Sequence, residues 1–318
     1  MRAAVLFPGQ GSQYEGMADP WTTHESGAAV FSRLSESWGR DLVELCRDAG
    51  ALATTELVQP ALFACDLAAF RVLEAEGARF EAAAGHSLGE FVALVASGVL
   101  GDVDAFRIVV TRGRAMQEAS DDTPSGMTAV IGLSPADAAD ICRVAGRGDV
   151  LEVANENAAK QVVLSGSIPA IERAEEAARS NGAKAIRLKV AGAFHSPLMR
   201  RAQEPVREAL SRATFHSPTM ALVPNVSGRV TRESSALRDL LSRHIVSPVR
   251  WERSMRALAG IGIDTFVEAG PGDVLSKLVR RNVPGITAVP VGSPADAVAI
   301  AHDEGRGGSE PAMSRERA

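Results

Sequence analysis

The chain has 318 residues, 46% of them hydrophobic, which suffices for a large core and leaves room for one or two domains. A formal net charge of −5 argues against a general nucleic-acid binder, and three cysteines (Cys46, Cys65, Cys142) in neither metal-ligand nor Cys-x-x-Cys spacing fit a reducing cytoplasm. No run approaches the ~20 apolar residues that cross a bilayer, and the apolar run behind Arg2 is too short for a signal peptide.

In chain order, Ala3-Ala4-Val5-Leu6-Phe7 reads as a short apolar strand running into a Pro8-Gly9-Gln10-Gly11 turn. Glycines on either side of Gln10 allow its backbone N–H to approach another group closely. Ala82-Ala83-Ala84 is the end of a second buried strand, and Phe91-Val92-Ala93-Leu94-Val95-Ala96 continues as a buried helix. Between them, Gly85-His86-Ser87-Leu88-Gly89-Glu90 places a serine at a sharp strand-to-helix turn. G-x-S-x-G alone is common by chance; the strand–turn–helix context reads Ser87 as a nucleophile. The helix start aims the Leu88 N–H at an oxyanion formed beside it, and the Gln10 N–H becomes a candidate second donor.

Residues 124–192 read as an inserted unit. A strand is predicted over 128–133 and Ser134-Pro135-Ala136-Asp137 caps a helix. Short strands follow at 151–154 and 161–165, an amphipathic helix over 169–181 closes at Gly182, and a last strand covers 185–190. The order βαββαβ fits a ferredoxin-like subdomain, and the alternation of strands and helices along the chain argues an α/β fold.

A serine needs a base, and the chain has six histidines. His24 and His302 lie in polar surroundings, His216 in a Ser-Pro turn region, and His86 next to the nucleophile, where successive side chains diverge. His195, in Gly192-Ala193-Phe194-His195-Ser196-Pro197, follows a β-like run and stands at an element end, where active-site residues collect. It is the best candidate base. After about Gly292 the chain turns polar and Gly-rich, and 293–318 is expected to be a flexible tail.

Together these segments resemble the malonyl-CoA:acyl carrier protein transacylase family, the discrete acyltransferases of fatty acid and polyketide synthesis. The likeness runs from Phe7-Pro8-Gly9-Gln10-Gly11-Ser12-Gln13 to Glu268-Ala269-Gly270-Pro271-Gly272. Between these lie Gln59-Pro60-Ala61-Leu62, the Ser87 elbow, Arg112-Gly113-Arg114-Ala115-Met116-Gln117, Asn155-Glu156-Asn157, the His195 segment and Ser247-Pro248-Val249-Arg250-Trp251. The resemblance implies a hydrolase-like large α/β domain with a parallel sheet (1–123 and 193–292) carrying the inserted ferredoxin-like subdomain, with the active site in the cleft between them.

It also implies roles. Ser87 would be acylated, with His195 as its base and the Gln10 and Leu88 N–H groups as oxyanion hole. Arg112 would bind the malonyl carboxylate, a task suited to a planar guanidinium, and Gln59, Met116, Asn157 and Phe194 would complete the substrate site. Phe194 would fill the space that an α-methyl branch needs and so favour malonyl over methylmalonyl. His244 stands where the family usually has Gln or Asn; the main-chain carbonyl there orients the catalytic histidine and survives a side-chain change. Asn157-Ala158-Ala159, where Ser-Pro commonly follows the Asn, reads as a neutral loop change.

The implied reaction is ping-pong malonyl transfer from malonyl-CoA to an acyl carrier protein. It needs no metal or cofactor, CoA thioester being a substrate, and involves no nucleic acid or membrane. An acidic carrier calls for a local basic surface, with Arg187, Lys189, Arg200, Arg201, Arg280 and Arg281 as candidates. The alternatives are a carrier-protein acyl hydrolase of the same fold, a transacylase for a substituted malonyl unit, and a non-catalytic docking module. Arg112 weighs against the hydrolase, and the complete Gln10, Ser87, Arg112 and His195 set against the docking module.

Overall fold

The computed structural model describes residues 2–306. Five strands form a parallel sheet: β1 (Ala3–Phe7), β2 (Ala82–Gly85), β7 (Ala221–Leu222), β8 (Thr265–Ala269) and β9 (Thr287–Val291), in the order β7-β2-β1-β8-β9. Strands β1, β2 and β8 are buried at every position, as parallel strands covered on both faces must be. The chain steps outward from β1 through β2 to β7, then returns to the other side of β1. The loops after β1 and β2 therefore leave side by side at the point where strand order reverses, with Phe7 in register with Gly85. Such a point is where open α/β sheets make crevices.

The 21-residue helix Thr55–Ala75 and the short Gly89–Ala96 helix, all eight residues of which are buried, pack against this sheet, and a second 21-residue helix, Asp102–Asp122, packs on both of them. A helix apolar but for Glu90 belongs inside the core.

The second sheet is antiparallel: β3 (Ser125–Ile131), β4 (Leu151–Ala158), β5 (Gln161–Ser167) and β6 (Lys184–Arg187), in the order β4-β5-β3-β6. With its two helices, Pro135–Gly146 and Ile168–Ser180, this is the ferredoxin-like arrangement. The helices cover one face through Val130, Val162, Leu164, Ile141 and Ile171. Met127 and Val163, from the other face, join the core of the large domain. The small sheet thus turns its helix-free side toward the parallel sheet.

Details differ from expectation. β4 runs on to Ala158, so Asn157 and Ala158 lie in a strand and only Ala159-Lys160 turns the hairpin. β6 stops at Arg187, although the Leu188 N–H still donates to the Met127 carbonyl. The expected flexible tail is corrected over 293–306. Pro294–Arg306 is a helix whose Ala297 and Ile300 are buried in the main core. The Ser293 hydroxyl accepts the Asp296 N–H and donates to the Asp296 carboxylate, a cap that starts the helix despite the Gly-rich sequence beyond it. Residues 307–318 lie outside the described part. No described helix is long and apolar enough to cross a membrane.

Candidate active site

The elbow after β2 is built on backbone contact. A Cβ on Gly85 would lie 1.9 Å from the Gly89 carbonyl carbon, one on Gly89 2.1 Å from the Phe7 carbonyl oxygen, and one on Gly9 2.4 Å from the His86 carbonyl oxygen. Glycine is therefore required at all three, and the β1 loop is pressed against the elbow. Ser87 itself sits at φ +52°, a left-handed conformation that a side chain adopts only when its surroundings hold it there. Neither the Gln10 nor the Leu88 N–H donates to any acceptor among the described residues.

His195, at φ +57°, points back into this turn. Its Nε2 lies 2.7 Å from Ser87 Oγ, and its Nδ1 lies 3.1 Å from the His244 carbonyl oxygen and 3.0 Å from that of Ser247. Both Nδ1 partners are pure acceptors, so Nδ1 carries the hydrogen and Nε2 offers its lone pair to the serine hydroxyl. Burial, reinforced by the charge of Arg112, pushes His195 down to about 3, against the two carbonyl hydrogen bonds. At neutral pH the ring is a free base.

Arg112 comes from the Asp102–Asp122 helix and is 1% exposed. Its Nη1 donates to Gln59 Oε1 at 2.6 Å and its Nη2 to Ser87 Oγ at 3.1 Å, while the guanidinium lies 5.8 Å from the centre of the Phe91 ring. No carboxylate stands within ion-pair distance of it among the described residues, and its Nε has no partner. Burial lowers it to about 10, with the nearby Glu90 opposing, which leaves it charged at neutral pH. Glu90, buried, is pushed up to about 8 by desolvation, against the Asn225 N–H and Arg112. The site therefore holds a buried cation beside Ser87 with no settled counter-charge. Such an arrangement is costly unless an anion comes to it.

One small cavity, about 80 Å³, joins most of the expected residues: Gln10, Gln59, Ser87, Leu88, Arg112, Met116, Phe194 and His195. Met127, Asn155, Leu188 and Val190, from the small sheet and the chain leaving it, close the other side. Asn157, expected at the substrate, does not line this cavity: its Oδ1 lies 2.9 Å from Nε2 of His86, which does, and its carbonyl accepts from Asn282. Asn155 lines the cavity instead. β4 shifts register between Val153 and Asn155 and again between Glu156 and Ala158, and such bulges break the two-residue alternation that would put both asparagines on one face.

The sequence reading also missed Asn225. Its amide groups reach Ser87, Gly85 and Glu90, but it follows a two-residue strand and carries no local pattern. Glu90 left a visible sign, a charge inside an apolar helix. Of the expected basic surface, Arg187 bonds Glu175, Arg201 pairs with Asp122, Arg280 bonds the Ala288 carbonyl and Arg281 bonds Gln161. Arg200 and Lys189 are exposed.

A parallel α/β sheet with a serine elbow at its switch point, a neutral histidine on that serine and a small domain closing the cleft is an arrangement suited to acyl transfer. Residues 5–297 match the acyl transferase domain family, and the chain belongs to that family. It is 39% identical over 297 residues to the malonyl CoA-acyl carrier protein transacylase of Salmonella typhimurium, covering 92% of this chain and 96% of that one. The corresponding Bacillus subtilis protein is 37% identical over 285 residues, covering 88% and 90%. The structure of the Coxiella burnetii malonyl CoA-acyl carrier protein transacylase superposes with a TM-score of 0.92 at 34% identity, over 95% of this chain and 97% of that one. A malonyl-transacylase solved in complex with a type II polyketide acyl carrier protein gives 0.92 at 33% identity, over 95% and 100%.

Proposed function

We propose that this acyltransferase moves a malonyl group from malonyl-CoA to the phosphopantetheine thiol of an acyl carrier protein through a malonyl ester on Ser87. The observation that carries the reading is the buried Arg112, without a carboxylate partner among the described residues and 3.1 Å from Ser87 Oγ. A malonyl carboxylate supplies the missing counter-charge and sets the thioester carbonyl over the serine.

His195 Nε2 takes the hydroxyl proton as Ser87 attacks, and the carbonyls of His244 and Ser247 stabilise the resulting imidazolium through Nδ1–H. The charge of Arg112 is one cause of the low basicity of His195. A bound carboxylate neutralises that charge, so the correct substrate also makes the base stronger. The Gln10 and Leu88 N–H groups hold the oxyanion. His195 returns its proton to the departing CoA thiolate, and the carrier thiol then enters by the same steps in reverse.

Gln59 fixes Arg112, and Met116 and Phe194 bound the acyl group. The small cavity suits a short unbranched unit. Neither metal nor cofactor is needed. The relatives' names support a place in fatty acid or polyketide synthesis. Three free, buried cysteines support a cytoplasmic setting.

The test follows radiolabel from malonyl-CoA in the presence of phosphopantetheinylated carrier. Label on the carrier supports transfer; free malonate identifies a hydrolase, and unchanged malonyl-CoA a docking protein.

A further inference from the structure

We infer that Asn225 is a positioning residue for the nucleophile, its side-chain amide clamping the strained elbow so that Ser87 Oγ stays on His195 and Arg112. The inference rests on the reading of Ser87 as the acylated residue.

Asn225 is fully buried and bonds at every polar group. Its Oδ1 accepts the Ser87 N–H at 2.7 Å, its Nδ2 donates to the Gly85 carbonyl at 2.6 Å, and its own N–H donates to Glu90 Oε2 at 2.9 Å. Its carbonyl accepts the Arg250 N–H at 3.0 Å. The Ser87 N–H can only donate and the Gly85 carbonyl can only accept, so the amide has a single possible orientation. The two side-chain bonds span residues 85 to 87, the stretch that carries the positive φ of Ser87. Nothing else among the described residues takes the Ser87 N–H.

His244 completes the support. Its Nε2 lies 3.3 Å from Asn225 Oδ1 and 3.6 Å from Glu90 Oε2, while its Nδ1 is buried without a partner. Nε2 therefore carries the hydrogen, and an imidazolium would place a second N–H where no acceptor stands. The residue that lends its carbonyl to His195 thus braces Asn225 with its ring.

The clamp needs an acceptor toward Ser87 and a donor toward Gly85, and Asn225→Asp separates these demands. Protonated, the new carboxyl supplies both. Ionised, it turns an oxygen anion toward the Gly85 carbonyl. The groups around this position are Glu90 and His244, which contact Asn225 directly, Arg250, whose N–H bonds its carbonyl, and Arg112, His86 and His195, whose charges act on Glu90 or His244. All are common to variant and wild type, so the quantity to read is the ratio of their rates.

Two rates are measured from pH 5 to 9: malonyl-Ser87 formation by rapid-quench mass spectrometry, and labelling of Ser87 by a fluorophosphonate. In the labelling, Oγ displaces fluoride and its proton passes to His195. The expected ratio of Asn225→Asp to wild type is near one at acid pH and falls as pH rises, by roughly 10²-fold when the elbow is displaced by about 1 Å. Asn225→Ala, if it folds, is slow at all pH with little change in malonyl-CoA binding. A ratio that stays level across pH, at whatever value, overturns the inference. The two readouts separate failures: fluorophosphonate labelling that follows the pattern in a protein that forms no malonyl ester removes the malonyl reading and leaves the clamp standing.

Discussion

The two sheets contribute to the site in different ways. The residues proposed to react stand on or beside the parallel sheet: Ser87 on the β2 elbow, Gln10 after β1, Arg112 on a helix packed against the one that follows the elbow, and His195 just past the small domain. The antiparallel sheet supplies walls, Met127, Asn155 and the nearby Leu188, and through Asn157 a brace on His86 of the elbow. Parallel strands converge two loops on one point and bring their backbone N–H groups with them, which suits charge stabilisation. An antiparallel sheet with helices on one face has its other face free to be a shaped surface. Chemistry and selectivity are therefore expected to come apart under mutation.

The sharpest break lies at the nucleophile. Ser87→Ala is expected to abolish the covalent adduct seen by intact-protein mass spectrometry after mixing with malonyl-CoA. An adduct that persists places the ester on another residue. Next comes the clamp. Arg112→Ala should lower kcat/KM for malonyl-CoA by about two orders of magnitude, from charge-assisted bonds of roughly 1.5–3 kcal/mol. Acetyl-CoA, with no carboxylate to lose, should suffer much less. Equal losses for the two substrates would assign Arg112 to structure.

At the domain junction, Phe194 tests selectivity. Forcing a methyl branch into a packed site costs roughly 1–3 kcal/mol, so equimolar competition should favour malonyl over methylmalonyl by about tenfold to a hundredfold. Phe194→Ser should relax that ratio, read from the carrier-bound products. A wall residue of the small sheet should do least to the chemistry: Met127→Ala is expected to leave acylation by malonyl-CoA within about tenfold while admitting bulkier acyl groups. A collapse of turnover there would erase the distinction between the two sheets.

pH probes the same division. His195 lies at about 3 in the folded protein, below its ordinary value near 6.5, so the unfolded chain binds more protons between the two. The stability linked to its neutral form is complete above about 6.5 and is lost as pH falls toward 3. Burial lowers His86 and His244 in the same direction. Glu90, raised to about 8, acts oppositely, its contribution being lost as pH rises from about 4.5 through 8. Melting temperature should thus fall on the acid side in wild type and less steeply in His195→Ala, whereas acylation kcat/KM should change little between pH 7 and 5.

Local signals were legible where a motif closes on itself. Ser134-Pro135-Ala136-Asp137 announces its helix, and the structure shows the capping box there. The same four residue types recur at Ser293-Pro294-Ala295-Asp296 and cap the last helix, yet the polar sequence beyond read as a tail. What holds that helix is the burial of Ala297 and Ile300 on a distant surface, and that leaves no mark in its neighbours.

The sequence by itself determined the elements whose cause is local: the glycines without which the elbow cannot close, the strand–turn–helix that exposes Ser87, the caps, and the βαββαβ order. Tertiary structure decided what depends on groups far apart in the chain. It put Asn225 on the Ser87 amide, 138 residues away, set Asn155 rather than Asn157 in the cavity through a bulge, and left Arg112 buried without a carboxylate partner among the described residues. Hydrogen bonds and desolvation act over a few ångströms of space whatever the separation along the chain. Only the folded arrangement determines which side chains fall within that reach.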